Sequence, residues 1–233
     1  MSRPVHIGDP PIEVILRRSA RARRYSLRVS AAERRVSLTM PVRASEAAAL
    51  RFARAREGWL RAALERLPEA RAIRFGETFP FRGRERRLCP GTGARVVLHR
   101  DRIELPGGPA ELPARLRGFL KVQARDRLTA EAADFATALG RPISRITLRD
   151  TRSRWGSCSE GGRLMFSWRL IMAPPGVLSY VVAHEVAHLV EMNHSPAFWA
   201  LVERLMPGHS RHRSWLRENG ALLHSYRFRE PGA

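Results

Sequence analysis

The chain has 233 residues, 44% of them hydrophobic and 27% charged, with a formal net charge of +20. That length can bury a sizeable core, and the composition excludes disordered, collagenous and disulfide-stapled proteins, because Cys89 and Cys158 are its only cysteines. No apolar run approaches the roughly eighteen residues of a membrane-spanning helix, and Met1-Ser2-Arg3-Pro4-Val5-His6 lacks the apolar centre of an export signal, so a cytoplasmic protein with no membrane contact is expected.

Taken from the N-terminus, the chain first alternates. Ile12, Val14 and Leu16, then Tyr25, Leu27 and Val29, then Val36, Leu38 and Met40 repeat at period two and predict half-buried strands, with a basic stretch from Arg17 to Arg24 between them. Pro41 ends the run and Ser45 suits an N-cap. One amphipathic helix is predicted from there to about Leu67, with Leu50, Ala53, Leu60, Leu64 and Leu67 on its apolar face and Pro68 as its stop. Residues 73–105 read as short strands separated by glycine and proline turns.

A long helix from Pro113 to Leu139 follows, striped by Leu116, Phe119, Leu120, Leu128, Ala132, Phe135 and Leu139, with Gly140 and Pro142 as stop signals. A hairpin is predicted next: Ile146 to Arg149, a turn at Gly161-Gly162, and a return strand from Arg163 to Leu170. Pro174-Pro175 then opens a new helix. The expected architecture is α+β: an N-terminal β-rich basic subdomain with one helix over residues 1–108, and a second domain over 109–233.

The charge is unevenly placed. Residues 1–100 hold 23 Arg against 9 acidic residues, a net +14, whereas residues 101–233 hold 19 basic against 13 acidic, a net +6. Nucleic acid contact through the Arg-rich first half is one reading of this. A solvated surface is the plainer one, since Lys121 is the sole lysine among 42 basic residues and such a ratio reflects codon usage in a G+C-rich genome.

The chemistry is concentrated in the helix after Pro175. His184-Glu185-Val186-Ala187-His188 matches H-E-x-x-H, with two imidazoles one turn apart on one helix face. Neutral imidazoles at that spacing suit a single Zn2+ ion, and Glu185, one residue past the first ligand, can reach a water on it. Catalytic zinc has three protein ligands and an open position. His194 lies ten residues after His184, the metzincin interval, although Glu191 stands where that pattern has glycine, and Asn193 is expected to turn the chain in a left-handed conformation instead. Ser195-Pro196 then reads as an N-cap and first helical residue. Glu191 and Glu203 are the alternatives for the third ligand, and Cys158 would close the site if it bound as a fourth. His209, His212, Tyr180, Tyr226, Arg154 and Arg213 are candidate donors to a developing oxyanion.

Thr151-Arg152-Ser153-Arg154-Trp155-Gly156-Ser157-Cys158-Ser159, the zinc-helix segment and Asn193-His194-Ser195-Pro196-Ala197-Phe198-Trp199 together resemble the YgjP-like zinc metallopeptidases, relatives of the SprT-like and WLM proteases. The resemblance implies a zincin-like second domain, one catalytic Zn2+ on His184, His188 and His194, Glu185 as the catalytic carboxylate, and a protein or peptide substrate. Read from the residues, Gly156 allows close backbone approach, and the strand around it is a candidate edge for an extended substrate beside Arg154; the alternative is that Trp155 and Cys158 only pack under the zinc helix. Rival functions are hydrolysis of non-peptide amides, and a nucleic-acid-associated protease or binding module.

Overall fold

The computed structural model describes residues 2–30 and 35–228. Its chain divides into two compact units, Met1–Glu69 and Ala70–Ala233.

The first unit carries strands β1 (Ser2–Ile7), β2 (Ile12–Ser19), β3 (Ser26–Ser30) and β4 (Arg35–Pro41) in one sheet of order β1-β2-β4-β3. The central pair, β2 and β4, is parallel, and the outer strands are antiparallel to it. The alternation predicted there is the burial pattern found: Ile12, Val14, Leu16, Val36, Leu38 and Met40 are buried. β1 was not anticipated, because Pro4 interrupts its pattern; an edge strand tolerates a residue with no amide to donate.

Two helices, α1 (Glu46–Arg54) and α2 (Glu57–Glu65), replace the one expected. Ser45 does cap α1, accepting from the Ala48 amide at 3.5 Å. The helix breaks at Arg56, whose φ of −118° and ψ of 17° leave the helical region just before Gly58, the poorest helix former of the stretch. The break lets Ala49, Ala53 and Leu60 all reach the core of this sheet.

The second unit begins with β5 (Thr78–Phe81), β6 (Arg84–Gly91), β7 (Val97–Leu98) and β8 (Arg102–Pro106), ordered β5-β6-β8-β7. Next come α3 (Leu112–Leu139) and a three-stranded sheet of β9 (Arg145–Arg149), β10 (Gly156–Cys158) and β11 (Arg163–Ser167), ordered β10-β11-β9. A 3-10 turn over Trp168–Met172 leads to α4 (Pro175–Ala187), α5 (Pro196–Leu205) and α6 (Ser210–Ser225). Among the described residues, no helix is long and apolar enough to cross a membrane.

The architecture is α+β, with strands leading and helices following. The expected boundary near residue 108 is replaced by one between Glu69 and Ala70. The reason is packing: Phe79, Phe81, Leu88, Ile103 and Leu105 of the second sheet share one core with Leu116, Leu120, Trp168 and Val182, so residues 70–108 cannot stand as part of the first unit. α3 is the pillar of that core. Leu112, Leu116, Leu120, Ala124, Leu128, Ala132 and Ala136 recur every four residues along its buried line, and Gly140 ends it at φ 62°.

The predicted hairpin is also rearranged. β10 and β11 form it across Gly161-Gly162, while β9 lies on the far side of β11 and runs parallel to it. The return strand stops at Ser167, because Arg169 is drawn inward as part of the 3-10 turn. Its guanidinium, buried with 8% exposure, grips both oxygens of Asp150 at 2.6 and 3.2 Å and donates to the carbonyls of Leu223 and Tyr226. It thereby ties the segment after β9 to the end of α6.

Leu120→Ala should cost about 2–5 kcal/mol of stability, because it leaves a cavity in a fully buried site. Val122→Ala, at a position 57% exposed, should stay within about 0.5 kcal/mol. Equilibrium denaturation of the two variants checks the assignment of α3's inner face.

Candidate active site

α4 starts with Pro175 at its first position and is buried nearly all round, through Val177, Leu178, Val181, Val182, Ala183, Val186 and Ala187. On one face it presents Tyr180, His184 and His188 at intervals of four. The helix ends at Ala187 with His188 as its C-cap, and the amides of Val190 and Glu191 both close back on the Ala187 carbonyl, at 3.1 and 3.0 Å. The chain then re-enters a helix at α5, where Ser195 accepts from the Phe198 amide at 3.2 Å and Pro196 takes the first position, as predicted. His194 sits in the short return between the two. Asn193 does not turn the chain in a left-handed conformation: among the described non-glycine residues only Arg82 has a positive φ. The return is made by the closing turn of α4 and the extended backbone of Ser195.

This path brings together His184, His188 and His194, whose ligand atoms all lie within 4.8 Å of one another. The Nε2 atoms of His184 and His194 face each other at 3.1 Å. Two ligands on one tetrahedral zinc, each about 2.0–2.1 Å from it, would be about 3.3 Å apart, so the residues present fit such an ion. His188 donates from Nδ1 to the Glu191 carbonyl at 2.9 Å, which settles its tautomer and leaves its Nε2 lone pair free. Phe198, fully buried, lies under all three rings, stacked on His188 at 4.4 Å and edge-on to His184 and His194 at 4.9 and 4.7 Å. In the sequence Phe198 stands out only as part of the segment that carries the family resemblance; its position four residues after His194 is the available signal.

Burial pushes the His184 imidazole down to about 3, helped by His188 and His194 beside it. Burial also lowers His188, against the pull of the Glu191 carbonyl. Both are therefore neutral near pH 7, the form that binds metal. The other suggested ligands lie elsewhere. Glu203 accepts from the Gly208 amide at 3.0 Å and sits 3.4 Å from His209 Nε2, so it secures the turn into α6. Glu191 contributes its backbone carbonyl to His188. Cys158 is outside the histidine cluster, and burial together with nearby Glu185 raises its thiol to about 11, leaving it neutral.

Glu185 is 6% exposed, and burial raises its carboxyl to about 7 against the pull of Arg154. Its seat is Gly156. A Cβ there would lie 2.5 Å from Glu185 Cγ and 2.6 Å from Oε1, so the carboxylate rests directly on the backbone of β10, an edge strand. Trp155 and Cys158 are partly buried against the core that α4 shares, and Trp155 also reaches α6. Trp155 stacks on His224 (4.7 Å, 26°) and covers Gly220, docking the start of β10 on α6.

The structure also sorts the six candidate oxyanion donors. Tyr226 lies against Phe79 at 4.8 Å and accepts from Arg71, away from the histidines, and His212 covers Gly176 at the first turn of α4. Arg154 acts on Glu185. Tyr180 meets His184 at 6.0 Å and His209 at 5.8 Å, with Arg213 beyond them over Trp199 at 4.6 Å.

A profile of the YgjP-like metallopeptidase domain matches residues 23–219, which is most of the chain. The protein belongs to the YgjP-like metallopeptidase family, and it is a hydrolase whose class uses a divalent metal on peptide substrates. The second unit, with its long helix, small sheet and histidine-bearing α4, is the zincin-like part. No curated protein matches. Among solved structures, a match is found to the metallopeptidase zymogen abylysin of Pyrococcus abyssi, at 20% identity and a TM-score of 0.35, covering 39% of this chain and 93% of that one. At that score the likeness carries no inference.

Burial, with Arg169 adding to it, lowers His224 to about 4. Unfolded, it titrates near 6.5, so the unfolded chain binds more protons between these values and His224 costs stability as pH falls from about 6.5 to 4. His224→Phe keeps a ring on Trp155 and should make the pH dependence of the unfolding free energy shallower in that window, by up to about 1.4 kcal/mol per pH unit. An unchanged slope in a pH series of denaturant titrations would show that His224 is not held neutral.

Proposed function

We propose that this chain is a zinc peptidase of the H-E-x-x-H…H type, with His184, His188 and His194 holding one Zn2+ and Glu185 acting as general base on peptide or protein substrates. One observation supports this most: three imidazoles converge within 4.8 Å beside a buried carboxylate raised to about 7. When bound, zinc supplies Lewis acidity, polarising a carbonyl and making a water acidic enough to lose its proton near neutral pH.

The protein's own groups do the rest. Glu185, with a carboxyl near 7, accepts the proton of the attacking water and returns it to the leaving amine. Gly156 fixes where that carboxylate stands. The peptide lies extended along β10, whose outer edge offers backbone donors and acceptors, so the scissile bond passes the carboxylate at a set height. Trp155, anchored on α6, keeps that edge in place.

Glu185→Gln should retain one zinc per chain by elemental analysis while kcat falls by about 10²–10⁴-fold. His194→Ala should lose the metal, and full stoichiometry in that variant would remove His194 from the ligand set. Gly156→Ala should keep zinc but lower kcat by about 10²-fold, because a displacement of the carboxylate by about 1 Å suffices for such a loss. A Gly156→Ala enzyme as fast as wild type would show that the proton acceptor lies elsewhere.

A further inference from the structure

A column of stacked groups borders the histidine cluster, and the chemistry proposed above makes no use of it. Tyr180 stacks on His209 (5.8 Å, 8°), His209 on Trp199 (5.6 Å, 16°), and the Arg213 guanidinium covers Trp199 at 4.6 Å. Three helices supply it: α4 gives Tyr180, α5 gives Trp199, and α6 with its N-cap gives Arg213 and His209. The column flanks the proposed ligands, since His184 meets Tyr180 at 6.0 Å and Trp199 at 5.8 Å, and His194 meets Trp199 at 5.9 Å.

The column ends in a charge with no counterion. Arg213 is exposed, and among the described residues its guanidinium makes no ion pair and no hydrogen bond. Glu203, the acidic residue of the neighbouring helix, is engaged by the Gly208 amide and lies beside His209. Stacking on Trp199 restrains the guanidinium while leaving its N–H edges free, and that planar fork matches a carboxylate.

We propose that Arg213 is a specificity-determining residue that binds a carboxylate of the peptide substrate, on the side of the histidine cluster that Trp199 borders. The assignment rests on the peptidase reading and narrows its substrate class to peptides that carry a negative charge close to the scissile bond. Two sources share this chemistry, an acidic side chain and the C-terminal carboxylate of a short substrate.

The test uses zinc-loaded enzyme and quenched fluorescent peptides of one parent sequence. One arm places Glu or its isostere Gln at successive positions around the cleaved bond; the other offers free and amidated C-termini. Wild type should favour one carboxylate form over its amide by about tenfold or more in kcat/KM, chiefly through KM, as expected for one charge-assisted contact. The arm in which this occurs identifies the source. In Arg213→Met, which keeps an apolar stem over Trp199, that ratio should fall to near one; Arg213→Lys should restore part of it.

A merely structural role would slow both members of a pair and leave their ratio intact. A wild-type ratio near one in both arms, or an undiminished ratio in Arg213→Met, overturns the proposal. The same pairs titrated calorimetrically into zinc-loaded Glu185→Gln provide a readout without turnover, and there too the preference should depend on Arg213. If wild type cleaves no peptide, the peptidase reading fails, and the calorimetric ratio still decides the role of Arg213.

Discussion

Three imidazoles can share an ion only if they are uncharged and aimed at one point, and the proposed centre depends on the second unit meeting that requirement. Burial of α4 keeps His184 neutral by pushing its pKa to about 3. The C-terminal turn of the same helix supplies the Glu191 carbonyl that orients His188. Phe198, placed by the Ser195 cap and Pro196, forms a floor beneath all three rings. The Nε2 atoms of His184 and His194 face each other at 3.1 Å, and in the proposed centre both lone pairs would turn to a common cation.

The same low-dielectric surroundings act on the carboxylate with the opposite sign. Burial disfavours charge on His184 and on Glu185 alike, which lowers one and raises the other. A single buried helix thus yields neutral bases for a cation and a carboxyl poised near physiological pH. The contact between Glu185 and Gly156 links this helix to the edge of the small sheet, so the proposed proton acceptor and the proposed substrate strand share one reference frame. Trp155 and Arg169 extend the link to α6, which also carries Arg213.

Much of this was legible in the amino-acid order because it depends on local geometry. Histidines four apart on a helix share a face whatever surrounds them, and Ser195-Pro196 announces a helix start by capping chemistry alone. That Glu203 lies outside the histidine cluster was not a local matter: it depends on the turn into α6 engaging its carboxylate. The division at Glu69 was hidden for a similar reason, since nothing near Phe79 or Leu105 signals that these residues join the core of a helix further along the chain. The helix break at Arg56 and the strand containing Pro4 were missed because tertiary packing overrode weak local preferences. Among the candidate donors, Tyr226 could be separated from Tyr180 only once distant segments had been brought together.

X-ray absorption at the zinc edge of the purified, zinc-loaded protein bears most directly on the centre. A first shell of three imidazole nitrogens and one further nitrogen or oxygen, all about 2.0–2.1 Å from the metal, is the expected result. A sulfur scatterer near 2.3 Å, which would bring Cys158 into the shell, or a spectrum requiring fewer than three imidazoles, would contradict it.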